Sequence, residues 1–117
     1  MFAAEQELRF TVPLSAVELE RRLATQLRAL GAALPLAGAT LVGHVKAIVR
    51  HPQVGYRMFS LTSFDGEVQV RGALRDGVCA VTCTLNAIVY GITPEALARL
   101  CEPVFAVTYA EVVRDGA

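Results

Sequence analysis

The chain has 117 residues, of which 11 are basic, 11 acidic and 54% apolar, so its formal net charge is zero. That length fits one domain with a conventional core. The apolar share exceeds the roughly 45 to 50% usual in soluble domains, which points to part of it lying at an interface. No apolar run approaches the roughly 20 residues of a membrane-spanning helix, and Met1-Phe2-Ala3-Ala4-Glu5 lacks the basic and apolar regions of a secretion signal. A cytoplasmic domain without a membrane partner is therefore expected.

Alternation of Leu8, Phe10 and Val12 against Glu7, Arg9 and Thr11 predicts a first strand over 7–12, ended by Pro13. Either edge of the sheet is open to it. Ser15 then reads as a helix N-cap, with Glu18 completing a capping box and Leu14 and Leu19 spaced as a hydrophobic staple. Leu19, Leu23, Leu27 and Leu30 recur at helical spacing opposite Glu20, Arg21 and Arg28. Gly31 is a natural residue just past the helix end. The stripe is expected to cover the apolar side of a sheet.

A strand over 39–50 sets Leu41, Gly43, Val45, Ala47 and Val49 on one side and His44, Lys46 and Arg50 on the other. An odd-length loop through 51–55 then places Val45 beside Leu61 and His44 beside Thr62. Two Asp-Gly pairs, Asp65-Gly66 and Asp76-Gly77, read as two-residue hairpin turns of type I′. The first pairs Phe64 with Glu67, Leu61 with Val70 and Phe59 with Gly72. The second pairs Leu74 with Cys79, Val70 with Cys83 and Val68 with Leu85. The resulting meander gathers Phe59, Leu61, Val68, Val70, Leu74, Cys79, Val81, Cys83 and Leu85 on the core face, since a one-residue slip inverts every side chain.

Thr93-Pro94-Glu95 reads as a second helix start, with an N-cap, proline at the first helical position and an acid near the positive end of the dipole. Leu97 and Leu100 are its apolar positions, and Pro103 interrupts it. Residues 104–113 suit a further helical segment or a closing strand. Helix is preferred, because Phe105, Tyr109 and Val112 recur at helical spacing. The expected architecture is an α+β two-layer sandwich in the order β-α-β-β-β-β-α, with an antiparallel sheet of four to five strands covered on one face by two helices.

Three cysteines favour a reducing compartment over a disulfide framework. Cys79 and Cys83 share a strand face about 13 Å apart, too far to be bridged, and read as small core residues. No Cys-x-x-Cys or paired-histidine spacing suggests a metal, and no cofactor is expected. His44 and His51 read as surface residues, and no nucleophile turn accompanies them. Between Arg28 and Asp65 there is no acid, while Lys46, Arg50, Arg57, His44 and His51 can carry positive charge. That cluster is either a solvated strand end or a dock for an anionic partner. It is too narrow a footprint for nucleic acid.

The non-core face carries the functional expectation. The registers put Ile48, Met58, Ala73 and Ala80 in one row, beside Lys46, Ser60, Arg71 and Thr82, and then His44, Thr62, Gln69 and Thr84. Val42 and Phe64 lie beyond. An apolar row flanked by hydrogen-bonding rows suits association, so homo-oligomerisation through this face or its edge is expected, most simply a dimer, with a protein partner as a further occupant. Two alternatives stay open: a small-molecule pocket between helix and sheet lined by Phe59, Leu61, Phe105 and Tyr109, and a small enzyme working through His44, Lys46 and Arg71.

Residues 7–101 resemble the C-terminal accessory domain of some CobW-type metallochaperone GTPases. The residues concerned are the leucine-rich helix ending Leu30-Gly31-Ala32, then Gly43-His44-Val45-Lys46-Ala47, Ser60-Leu61-Thr62-Ser63-Phe64-Asp65-Gly66-Glu67-Val68 and Leu85-Asn86-Ala87-Ile88-Val89. The family's Gly-x-x-x-x-Gly-Lys-Ser/Thr nucleotide loop and its metal-binding cysteine motif are absent, so GTP hydrolysis does not carry over. What the resemblance implies is a stand-alone accessory or partner-binding module.

Overall fold

The structure, a computed structural model, describes residues 1–106, less the side chains of residues 11, 12 and 78. Its elements are β1 (Phe2–Leu14), α1 (Ala16–Ala33), a 3-10 turn (Pro35–Ala37), β2 (Leu41–His51), β3 (Gly55–Leu61), β4 (Gln69–Leu74), β5 (Val78–Tyr90) and α2 (Pro94–Phe105). The expected α+β order is observed, with all five strands antiparallel in one sheet. Of the undecided stretch 104–113, Val104 and Phe105 belong to α2 and the part from 107 onward lies outside the described residues.

The helix starts form as the local chemistry dictates. Ser15 Oγ accepts the Glu18 N–H at 3.1 Å, and Thr93 Oγ1 accepts the Ala96 N–H at 3.2 Å, each satisfying a donor that the first helical turn leaves unpaired. The Glu18 carboxylate turns instead to Arg21 and Arg22, so only half of the expected capping box forms. Leu14 and Leu19 are both buried, as a staple requires. Gly31 corrects the expected helix end: α1 runs on to Ala33, and the left-handed residue is Gly38, past the 3-10 turn. Gly31 is small for another reason, because a Cβ there would stand 2.8 Å from the Phe64 carbonyl oxygen and 2.9 Å from Leu61 Cδ2.

The strand order is β1-β5-β2-β3-β4. The β2–β3 hairpin has the expected register, Val45 opposite Leu61 and Ile48 opposite Met58. Its loop, residues 52–54, returns through Gly55 at φ 106, where a glycine costs least. The two Asp-Gly turns do not form. A type I′ turn needs positive φ at both central residues, and of those four residues only Gly77 has it. Asp65-Gly66 lies within a longer connection, 62–68, which moves the β3–β4 register by two residues: Phe59 faces Val70, and Gly72 faces Arg57 rather than Phe59. An even shift preserves which side each residue faces.

Asp76-Gly77 does something the sequence pattern does not encode. The Asp76 carboxylate accepts the Ala16 N–H at 2.7 Å, and the Gly77 N–H reaches the Leu14 carbonyl at 3.0 Å. The carboxylate thus serves the positive end of α1 beside the Ser15 cap. The chain between β4 and β5 crosses the tip of the β2–β3 hairpin, where the Arg75 N–H donates to the Val54 carbonyl at 3.0 Å and the Arg75 guanidinium to the Gln53 carbonyl. Strand β5 therefore lies between β1 and β2 instead of beside β4, and β2 to β5 form a Greek key rather than a meander.

Both helices lie on the face formed by Val45, Ala47, Val49, Phe59, Leu61, Val81, Cys83 and Leu85, all buried. Leu19, Leu23, Leu27 and Leu30 of α1 and Leu97, Cys101 and Val104 of α2 complete one cluster, each leucine contributing about 1.5 to 3 kcal/mol by burial. Val68 and Val70 are only partly buried at its margin, and Cys79, expected in the core, is exposed near the start of β5.

Two substitutions test these assignments. Asp76→Ala removes a cap and is expected to cost about 1 kcal/mol, lowering the midpoint of thermal unfolding by about 4 °C. Gly31→Ala gains about 1 kcal/mol of intrinsic helix propensity, yet it is expected to lower the same midpoint, because the obstructing atom is a backbone oxygen.

Candidate functional site

The side of the sheet opposite the helices is open, and the registers fix its rows. A central row runs Glu5, Thr84, Ile48, Met58, Arg71; one flanking row runs Ala3, Asn86, Lys46, Ser60, Gln69; the other runs Glu7, Thr82, Arg50, Tyr56, Ala73. Ile48, Met58, Ser60, Thr82 and Thr84 are half-buried by their neighbours, whereas Lys46 and Arg71 are exposed. The expected row of Ile48, Met58, Ala73 and Ala80 is corrected by the Greek key: Met58 faces Arg71, Ala73 faces Tyr56, and Ala80 faces Arg9 across the sheet. Thr62 lies beyond the end of β3 and is exposed, so it joins no row.

A bulge at Gly43 reshapes one end of this face. Val42 faces Val89 and His44 faces Ile88, leaving Gly43 as the extra residue. Upstream of the bulge the alternation inverts, so Val42, expected on the open face, is buried, and Leu41, expected in the core, is turned out. Leu41 and Tyr90 stand opposite each other, 59% and 54% exposed. With the half-buried Ile88 they extend the apolar part of the face toward His44. The sequence signal for this was Gly43 itself, since a glycine inside a strand pattern marks a bulge.

The polar groups at the centre are ordered. Arg50 donates to Glu5 Oε1 at 2.8 Å and to Thr84 Oγ1 at 3.0 Å, and the Thr84 hydroxyl donates to Glu5 Oε1 at 2.9 Å. This triangle ties β1, β5 and β2 together across the open face. The hydrogen bonds from Arg50 and Thr84, with the Arg50 charge, hold the Glu5 carboxyl below its ordinary value of 4.5. Strands β2, β3 and β4 carry no acidic residue, so Lys46, Arg50 and Arg71 make that part of the face basic. Arg57 does not belong to it: the side chain faces the helices, pairs with Glu20 at 2.9 Å and donates to the Gly72 carbonyl at 2.6 Å. His51 is likewise engaged locally, its Nδ1 accepting the Gln53 N–H within the hairpin loop.

His44, Lys46 and Arg71 occupy three rows, with Arg71 two strands away from the others, and they do not converge on one point. Phe59 and Leu61 are wholly within the core; Tyr109 lies outside the described residues. One groove of about 600 Å³ is bordered by Gln6, Arg99, Glu102 and Phe105, and a smaller one of about 320 Å³ by Arg28, Ala32, Pro35 and Phe64. Burial pushes the Cys83 thiol up to about 12, and burial, slightly offset by the chain's amino terminus, pushes Cys101 up to about 11, so both thiols stay protonated and unreactive at neutral pH. Among the described residues no group of three or more His, Cys, Asp or Glu side chains could hold a metal ion, and no helix is long and apolar enough to cross a membrane.

No protein-family model, curated protein or solved structure matches the chain.

The Glu5 triangle has a pH signature. A carboxyl held low in the folded chain contributes stability that is complete above its unfolded value and is lost as the pH falls through the folded one. Glu5→Gln is therefore expected to lower the thermal midpoint slightly near neutral pH, with the difference from wild type shrinking as the pH falls below the ordinary carboxyl value of 4.5. A difference that stays constant as the solution is acidified would show that the Glu5 charge contributes nothing.

Proposed function

We propose that the chain is a non-catalytic, homo-oligomeric accessory or protein-binding domain that associates through the open face of its sheet. The observation that carries this reading is the composition of that face: the half-exposed Leu41–Tyr90 pair, Ile88, and the central Ile48–Met58 pair, bordered by Thr82, Thr84, Ser60, Lys46 and Arg71. Antiparallel sheets with one solvated face ordinarily show polar side chains there. Two patches of large apolar residues, one on either side of the Asn86–Lys46–Ser60 row and edged by hydrogen-bonding and charged ones, are instead the pattern of a recognition surface. Five strands at about 4.8 Å spacing make the face about 24 Å wide, and over strands of this length that provides roughly the 800 Å² per partner of a standard interface.

The separation of His44, Lys46 and Arg71 supports binding over catalysis, because acid-base chemistry needs its groups within hydrogen-bond reach of one reacting atom. The basic half of the face favours partners that present carboxylates around an apolar centre. The resemblance to a CobW-type accessory domain agrees with such a role and adds no chemistry to it.

Ile48→Asp places a charge at the middle of the face without touching the helix-side core. Static light scattering of the full chain is expected to give a lower mass for this variant than for wild type, and charge reversal at Arg71 to act in the same direction. An unchanged oligomer in both variants removes the face from the assembly.

A further inference from the structure

The sheet has two edges of very different character. Strand β4 is only six residues long, and the carbonyl of its Gly72, a residue at φ 93, is occupied by Arg57; a short strand is one of the devices that blunt an edge. Strand β1 is 13 residues long, and no described strand pairs with its outer side. Its regular ladder to β5 covers Phe2 to Arg9, with the irregularity and Pro13 only beyond. A long regular edge with free N–H and C=O groups is a template for another strand.

The side chains of β1 decide which strand fits. Leu8 and Phe10 face the core, and Glu5, Glu7 and Arg9 stand on the open face. When β1 meets a second β1 antiparallel, opposed residues must share a face, so the two-fold axis passes through a residue. Through Gln6 it sets Glu5 against Glu7; through Glu7 or Arg9 it sets a like charge against itself. Through Leu8 it sets Glu7 against Arg9 twice and Leu8 against Leu8, all within the regular part of β1 and with no like-charged pair. Opposite charges directly across an antiparallel pair are favourable and like charges are not.

We propose that two copies of this chain join edge to edge at the middle of β1, with the two-fold axis at Leu8 and reciprocal Glu7–Arg9 pairs, so that their two sheets stand side by side. The axis stands perpendicular to the sheet, so the helices of both copies lie on one side and both open faces on the other, doubling the surface available to a further partner. This seam rests on the homo-oligomeric reading above and adds a contact separate from the face. Glu7 and Arg9 already pair within the chain, with side chains 51% and 79% exposed, so exchange to a partner strand requires no repacking.

Glu7→Arg and Arg9→Glu, each made in the full chain and checked for unchanged far-ultraviolet circular dichroism, replace both attractive pairs with repulsive ones. Sedimentation equilibrium is expected to show dimerisation weakened about ten- to hundredfold in each variant alone. An equimolar mixture of the two regains wild-type association, because in the mixed dimer both cross-strand pairs again join an arginine to a glutamate. Single variants that associate like wild type, or a mixture that does not recover, overturn the seam. Ile48→Asp separates the two contacts: if it alone abolishes all association the seam fails and the face stands, and if it changes nothing while Glu7→Arg lowers the mass the face fails and the seam stands. A monomeric wild-type chain overturns both.

Discussion

Strand β5 is hydrogen-bonded along both of its edges, and the rest of the molecule is arranged by that. Its 13 residues pair with β1 from Phe2 to Arg9 on one side and with β2 from Leu41 to Arg50 on the other. Every second residue from Val81 to Val89 is buried, so the strand supplies the middle of the surface that α1 and α2 cover. With β5 there, β4 cannot pair with it and is left as an edge. The connection from β4 must then cross the end of the β2–β3 hairpin, and this crossing brings Asp76 to the first turn of α1. One pairing choice thereby fixes the sheet order, the second cap of the helix and the identity of both edges.

The open face follows from the same constraint. Inserting β5 next to β2 and β1 brings Thr84 between Ile48 and Glu5, which lets Arg50 and Thr84 share the Glu5 carboxylate. It also places the bulge at Gly43 against Ile88, inverting the chain upstream so that Leu41 and Tyr90 become an exposed cross-strand pair. Polar order at the centre, an apolar end and a basic half are thus consequences of strand neighbours rather than of any local motif. The proposed association rests on that composition.

Local sequence chemistry set the element types, their order and most of the facing. Ser15 and Thr93 mark helix starts that form because a side-chain oxygen three residues back is the nearest acceptor for an unpaired N–H. The alternation of apolar and polar residues in 55–61 and 78–90, and the odd loop between β2 and β3, determine which side chains face the helices, since strand geometry leaves a period of two and nothing else. Even the two-residue slip at β3–β4 preserves facing. Of the candidate residues, Lys46, Ile48, Met58, Ser60, Arg71, Thr82 and Thr84 lie on the open side for this reason alone.

Who neighbours whom was decided by the tertiary structure. An Asp-Gly pair is a hairpin turn only if nothing better competes for its carboxylate and its backbone; at Asp76 the unpaired Ala16 N–H, 60 residues away in sequence, competes and prevails. Gly31 and Gly43 carry ambiguous local signals, and their meanings, close approach to Phe64 and a bulge against Ile88, exist only once another segment has packed there. Sequence periodicity is a property of one strand, whereas strand order minimises unsatisfied backbone groups and exposed apolar surface over the whole chain, so the first can be read residue by residue and the second cannot.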